Sequence, residues 1–283
     1  MGFGVVRPIL IRTAWKIIHG HEQITTSFRT FARSADCPER RTYSMKATLI
    51  LATLVLAVQA TPLVHAEPPT GALAGQVLYV GPAIPDRVVE VARDSAFCGT
   101  MVTIKSVGIH PKPRGLEGAV VSIDGVPLPV SDSSLPPLVL TNTRCTFAPR
   151  IAAGMVGQQV EIRNDDPVMH NTHISMGPRT FVNVAMLPSS RPVGKPLKQP
   201  GIYTVKCDAH KFMQAHLLAF AHPFFSVTDE TGAFRIPNLP AGEHQVTIWH
   251  HTLGTFQQSV TIPAQGETSI TLEYPNHADA RKK

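Results

Sequence analysis

Past Glu67 the chain carries no long apolar repeat at a helical period, and this constrains its fold more than any other feature. Its apolar residues come in short runs that alternate with polar neighbours and end at Gly, Pro or Asn. Residues 73–80 (LAGQVLYV), 102–107 (VTIKSV), 118–123 (GAVVSI) and 158–164 (QQVEIRN) are such runs. In the last, Val160 and Ile162 alternate with Gln159, Glu161 and Arg163, the pattern of a half-buried strand. The chain holds 25 prolines, which suit loops and sheet edges and disfavour long helices. The expected class is all-β, with sandwich architecture. Asp124-Gly125 marks a turn, and residues 188–200 (PSSRPVGKPLKQP) are expected to form an irregular loop. From Pro223 on, short β segments follow one another closely: FFSVTD, AFRIPNL, HQVTIWH, QQSVTIP and TSITLEY.

One stretch carries chemistry. Residues 201–207 (GIYTVKC) alternate as a strand, and CDAHKFM, Cys207 to Met213, follows from its end. This is C-x-x-H-x-x-M, a thiolate, an imidazole and a thioether that a tight inter-strand loop can bring to one point. Soft sulfur with imidazole suits copper. Two histidines, one cysteine and a weak axial methionine make a blue-copper electron-transfer site. The second histidine must come from elsewhere, and His170 in NDDPVMHNTHIS is the candidate. His173 is three residues on and faces the other way in an extended strand. Asp165-Asp166 can orient His170 or serve as ordinary turn residues. Met213 is the expected weak axial ligand, with a gap-filling core role as the alternative, and His216 could replace it or join it.

The C-x-x-H-x-x-M loop and the upstream His170-Asn171 pair resemble the cupredoxins, with a loop of amicyanin length. The wider arrangement is similar to periplasmic, methylamine-utilisation-type, cupredoxin-like proteins. In those a copper-like site precedes a segment matched here by HPFFSVTDETGAFRIPNLPAGEHQVTIWHH, His222 to His251. The resemblance covers roughly residues 71–274. It implies that the strand ends at His170 and Cys207 are neighbours, and that Asn171 ties the two ligand loops together. It also implies a cupredoxin-like Greek-key sandwich over residues 67–222. A small transthyretin- or carboxypeptidase-regulatory-like β-sandwich module follows over 223–275, then a polar tail over 276–283.

The charge balance separates a leader from the rest. Residues 1–66 hold 8 Lys/Arg and 3 Asp/Glu, whereas residues 67–283 hold 18 and 17. The overall +6 therefore belongs to the leader, and the remainder offers no case for nucleic acid. Met45-Lys46, the apolar run ATLILATLVLAV and Val64-His65-Ala66 compose a signal peptide over 45–66. The run is too short for a transmembrane span, so no stable membrane span is expected after cleavage. Residues 1–44 are expected to be untranslated or unstructured upstream sequence. The export this implies, to a periplasm or its equivalent, permits disulfides. Cys98, Cys145 and Cys207 follow the leader. Cys98 and Cys145 are the expected pair, because Cys207 must be a free thiolate to bind copper. If Cys207 were paired instead, the spacing of its motif would be a coincidence.

No nucleophile elbow, H-E-x-x-H or P-loop occurs, and no enzyme is expected. His222, His250 and His251 could form a second metal cluster, but packing is the expected role. The expected function is a periplasmic, mononuclear type 1 copper protein that transfers single electrons through an exposed His210 edge. A dehydrogenase or cytochrome is its expected partner. The alternatives are a copper-delivery protein without a carrier role and a structural envelope β module.

Overall fold

The computed structural model describes residues 69–126 and 135–274. The segment expected over 1–44, the signal peptide over 45–66 and the tail over 276–283 lie outside the described residues. The described chain is all-β, with a single four-residue helical turn, Ser95–Cys98. Among the described residues, no helix is long and apolar enough to cross a membrane.

Two hydrophobic cores organise the strands. The first lies between a three-stranded sheet, Ala233–Pro240, Thr70–Tyr79 and Glu267–Tyr274, and a four-stranded sheet, Phe225–Val227, Val120–Asp124, Gly242–His250 and Gly254–Ile262. Leu73, Val77 and Leu272 from one sheet meet Val121, Ile248 and Ile262 from the other. The second core is that of a Greek-key sandwich. Its four-stranded sheet orders Val193–Pro196, Gln159–Asn164, Leu138–Thr143 and Thr146–Ala148. Its five-stranded sheet orders Arg179–Met186, His170–Met176, Gly201–Lys206, Gln214–Phe220 and Ile151–Met155. Leu140, Val160 and Ile162 pack there against Ile174, Val205 and Leu217.

The cores do not divide at residue 222 as expected. The first described strand, Thr70–Tyr79, pairs in parallel with Glu267–Tyr274, near the other end of the chain. Val120–Asp124 likewise pairs with Gly242–His250. The strands Thr70–Tyr79 and Val120–Asp124 thus complete the C-terminal sandwich, and the Greek-key sandwich is inserted between Asp124 and Phe225. The reason is physical. The C-terminal segments alone leave apolar faces open, and the N-terminal strands cover them, as the fully buried Leu73 and Val77 show. Gly75 permits the pairing, since a Cβ there would lie 1.9 Å from the Ile270 carbonyl oxygen. The loop expected over 188–200 also contains an edge strand, Val193–Pro196, paired antiparallel with Gln159–Asn164. An edge position tolerates its proline, Pro196.

Candidate metal centre

The site sits where two strands of the five-stranded sheet release their loops. His170–Met176 and Gly201–Lys206 are antiparallel neighbours, with His173 opposite Lys206. This adjacency is the one the resemblance implies. The loop Cys207–Met213 then turns into Gln214–Phe220, closed by Met213 N–H donating to His210 O (2.9 Å) and Cys207 N–H donating to Met213 O (3.3 Å).

His170 is delivered by a short turn that Asn164 and Asp166 hold together. Asn164 Nδ2 donates to Val168 O (3.0 Å) and Met186 O (2.9 Å), and Asp166 N–H donates back to Asn164 Oδ1 (3.2 Å). Asp166 is the hub. Its Oδ1 accepts from Arg144 N–H (2.6 Å), and its Oδ2 accepts from Cys145 N–H (2.8 Å) and from His170 Nε2 (2.8 Å). Arg144 and Cys145 both hold positive φ, 49° and 54°, in the turn between Leu138–Thr143 and Thr146–Ala148. One buried carboxylate therefore stabilises a left-handed turn and aims a histidine.

Donor chemistry sets the tautomer. A carboxylate only accepts, so His170 Nε2 carries the proton and Nδ1 keeps its lone pair. That Nδ1 is buried and has no hydrogen-bond partner. Burial pushes His170 below the usual histidine range, against its hydrogen bond to Asp166, which favours the charged form. His210 repeats the logic. Its Nε2 lies 3.0 Å from Asp94 Oδ2, which leaves Nδ1 toward the Cys207 sulfur, 3.7 Å away. The rings of His170 and His210 stand 4.8 Å apart. Cys207 Sγ accepts N–H donation from Asn171 (3.4 Å) and His210 (3.3 Å). Asn171 Oδ1 accepts from Asp208 N–H (3.3 Å), so Asn171 joins the two loops.

The ligand atoms of His170, Cys207 and His210 all lie within 4.8 Å of one another, and all three residues are buried. Met213 is buried in the same core. Cys145, Asp166 and His170 also converge, but Cys145 is bonded to Cys98, the pairing expected from the sequence, and Cys207 is the free cysteine among the described residues. A buried cysteine sulfur and two buried imidazole nitrogens fit a soft or borderline metal, and the donor set suits copper.

The other histidines lie elsewhere. His173 faces away, 3.6 Å from Asp208 and 3.1 Å from Thr180 Oγ1. His216 packs against Trp249 and His251, with ring centroids 5.5 Å away in each case. His222 Nδ1 accepts from Phe224 N–H, and His250 Nδ1 accepts from Thr252 and Leu253 N–H, which makes both turn-capping groups.

One expectation fails. His210 is not at an exposed edge: its side chain has 0% exposure. The turn at Asp94–Cys98 covers it, held down by the Cys98–Cys145 disulfide, with Cys98 Sγ 3.9 Å from His210 Nε2. Asp94 lies 116 residues from His210 and belongs to no motif, so no sequence signal points to it.

No protein-family model matches this chain, and no curated protein does. Solved structures similar to part of it include a copper-containing nitrite reductase from Thermus scotoductus SA-01, at 21% identity and a TM-score of 0.28. That match covers 34% of this chain and 25% of the reductase chain. An oxidized amicyanin variant matches at 17% identity and a TM-score of 0.28, over 35% of this chain and 98% of its own. A purple cupredoxin from Nitrosopumilus maritimus matches at 17% identity and a TM-score of 0.26, over 29% of this chain and 98% of its own.

Proposed function

We propose that this chain is an exported, single-copper electron carrier in which His170, Cys207 and His210 would hold the metal and Met213 would be a further, weak ligand. The observation that carries the reading is the buried His170 Nδ1, which has no protein partner and faces a free cysteine and a second histidine of the same tautomer. Bound copper supplies a one-electron Cu(II)/Cu(I) couple. The chain's own part is to hold the donors still. Asp166 and Asp94 fix the imidazole tautomers, the N–H groups of Asn171 and His210 hold the Cys207 sulfur in place, and the surrounding core excludes water. Donors that do not move between oxidation states keep the reorganisation on electron transfer small. The carrier reading is preferred to copper delivery because Asp94 and the disulfide-tethered turn close the site over His210, which opposes release. We read the chain as a carrier rather than an enzyme, serving a protein redox partner.

The test is to add one equivalent of Cu(II) and record visible and electron paramagnetic resonance spectra, then voltammetry. Intense thiolate-to-copper charge transfer that vanishes in Cys207→Ser, with reversible one-electron cycling and no copper loss, is the expected result. Copper binding indifferent to Cys207→Ser would overturn the assignment. Copper lost on reduction would favour delivery.

A further inference from the structure

A cleft of about 1030 Å³ opens beside the metal loop, and nothing in the proposed electron carrier accounts for its character. Its walls come from segments far apart in sequence. Arg87, Lys105, Arg150, Lys206 and Lys211 all line it, and all five are exposed. Asp208 supplies its only carboxylate among the described residues, and that group lies 3.6 Å from His173 Nδ1. Over residues 67–283 the cations outnumber the anions by one, 18 to 17. Five cations against one anion in a single concavity is therefore a local concentration, not a reflection of a basic protein.

Two features make this more than a charged surface. One of the cations is tied to the wall: Arg150 Nη1 donates to the Lys105 backbone carbonyl (3.0 Å), which links two of the contributing segments. The cleft also holds an unused polar atom, His251 Nδ1, which is buried without a partner. Burial first, then the nearby Arg150, lowers His216 and His251 to about 4, so both are neutral near pH 7. They offer hydrogen bonds, while the lysines and arginines offer charge.

We propose that this cleft binds a small multivalent oxyanion, a molecule carrying two or more carboxylate or phosphate groups. The volume is at the upper end of the range for small-molecule sites, and a concave wall favours an inserted molecule over a flat docking face. Arginine and lysine together suit carboxylate and phosphate oxygens. The cleft reaches Cys207 and Met213, so the bound anion lies against the metal loop.

Binding is measured on the metal-free full chain, so that it stands or falls separately from the copper reading. Pyrophosphate and citrate are titrated calorimetrically at low ionic strength, with sodium chloride matched for ionic strength as reference. The expected result is saturable one-site binding of at least one of the two, with shifts in the His216 and His251 ring signals by NMR. Arg150→Glu with Lys206→Glu is expected to weaken it by about tenfold or more. Arg179→Glu, an exposed change outside the cleft, leaves it intact. If the double variant does not fold, Lys105→Glu with Lys211→Glu replaces it. Heats no different from sodium chloride, or affinity unchanged by folded charge-reversal variants, overturn the proposal. So does binding of a polyglutamate peptide when neither small anion binds, which would mark a docking face for an acidic protein.

Discussion

Asp166→Asn is the sharpest perturbation of the site, because three N–H donors converge on two carboxylate oxygens. Oδ1 serves Arg144 N–H at 2.6 Å, and Oδ2 serves Cys145 N–H and His170 Nε2–H, both at 2.8 Å. An amide keeps one oxygen and replaces the other with an NH₂ group. Whichever way it turns, at least one donor faces another donor. The surroundings are dry: Cys145 is 1% exposed, Asp166 4% and His170 0%. A buried donor left unsatisfied costs about 1–3 kcal/mol, and the charge-assisted character of the remaining bonds is lost as well. The left-handed pair Arg144 and Cys145 also loses the anion that holds it. We expect the metal-free variant to be less stable by about 3 kcal/mol. At a typical urea slope of ~2 kcal/mol/M this lowers the unfolding midpoint by about 1.5 M with the slope unchanged. If the amide nitrogen turns toward His170, the ring proton moves to Nδ1 and copper affinity falls by about 10–100-fold. A stability loss under about 0.5 kcal/mol together with undiminished copper affinity would refute the carboxylate's role as hub.

Acid should destabilise the metal-free chain through its second histidine group. Burial, then neighbouring positive groups, lower His216 and His251 to about 4 and His250 to about 3. Released from the fold, they titrate near 6.5 and take up protons the native state refuses, so stability is full above about pH 6.5 and falls as pH drops toward 3–4. Urea midpoints against pH should show this slope, reduced in His250→Gln. The Cys98–Cys145 bond spans 47 residues, and its removal by paired serine substitution should cost about 2–4 kcal/mol on thermal or urea unfolding. The same variant should free the Asp94 turn and expose His210, measured as faster labelling by a histidine-selective reagent than in the parent. Gly75→Ala should weaken the C-terminal sandwich rather than the inserted one, because its Cβ would meet the Ile270 carbonyl. Hydrogen exchange should then rise in Glu267–Tyr274 and stay unchanged in Gly201–Lys206; the reverse pattern would contradict the strand assignment.

What the chain's sequence determined by itself was local. The period-two alternation in 158–164 and 201–207 appears as the strands Gln159–Asn164 and Gly201–Lys206, since side-chain alternation follows from the pleat of a single strand. The spacing of Cys207, His210 and Met213 placed all three in one loop, the one that joins Gly201–Lys206 to Gln214–Phe220. His170 was legible through its place at a strand start and the Asn171 beside it. The pairing of Cys98 with Cys145 was legible from the role reserved for Cys207. Tertiary structure alone decided the long-range matters. A half-buried strand such as Thr70–Tyr79 presents a face that many partners could cover, and nothing in its pattern names Glu267–Tyr274. Asp94 reaches His210, and five cations reach one cleft, only because two sandwiches are folded against each other and stapled by a disulfide. Burial and charge placement at those points depend on backbone paths set by the whole fold, which no short window of residues encodes.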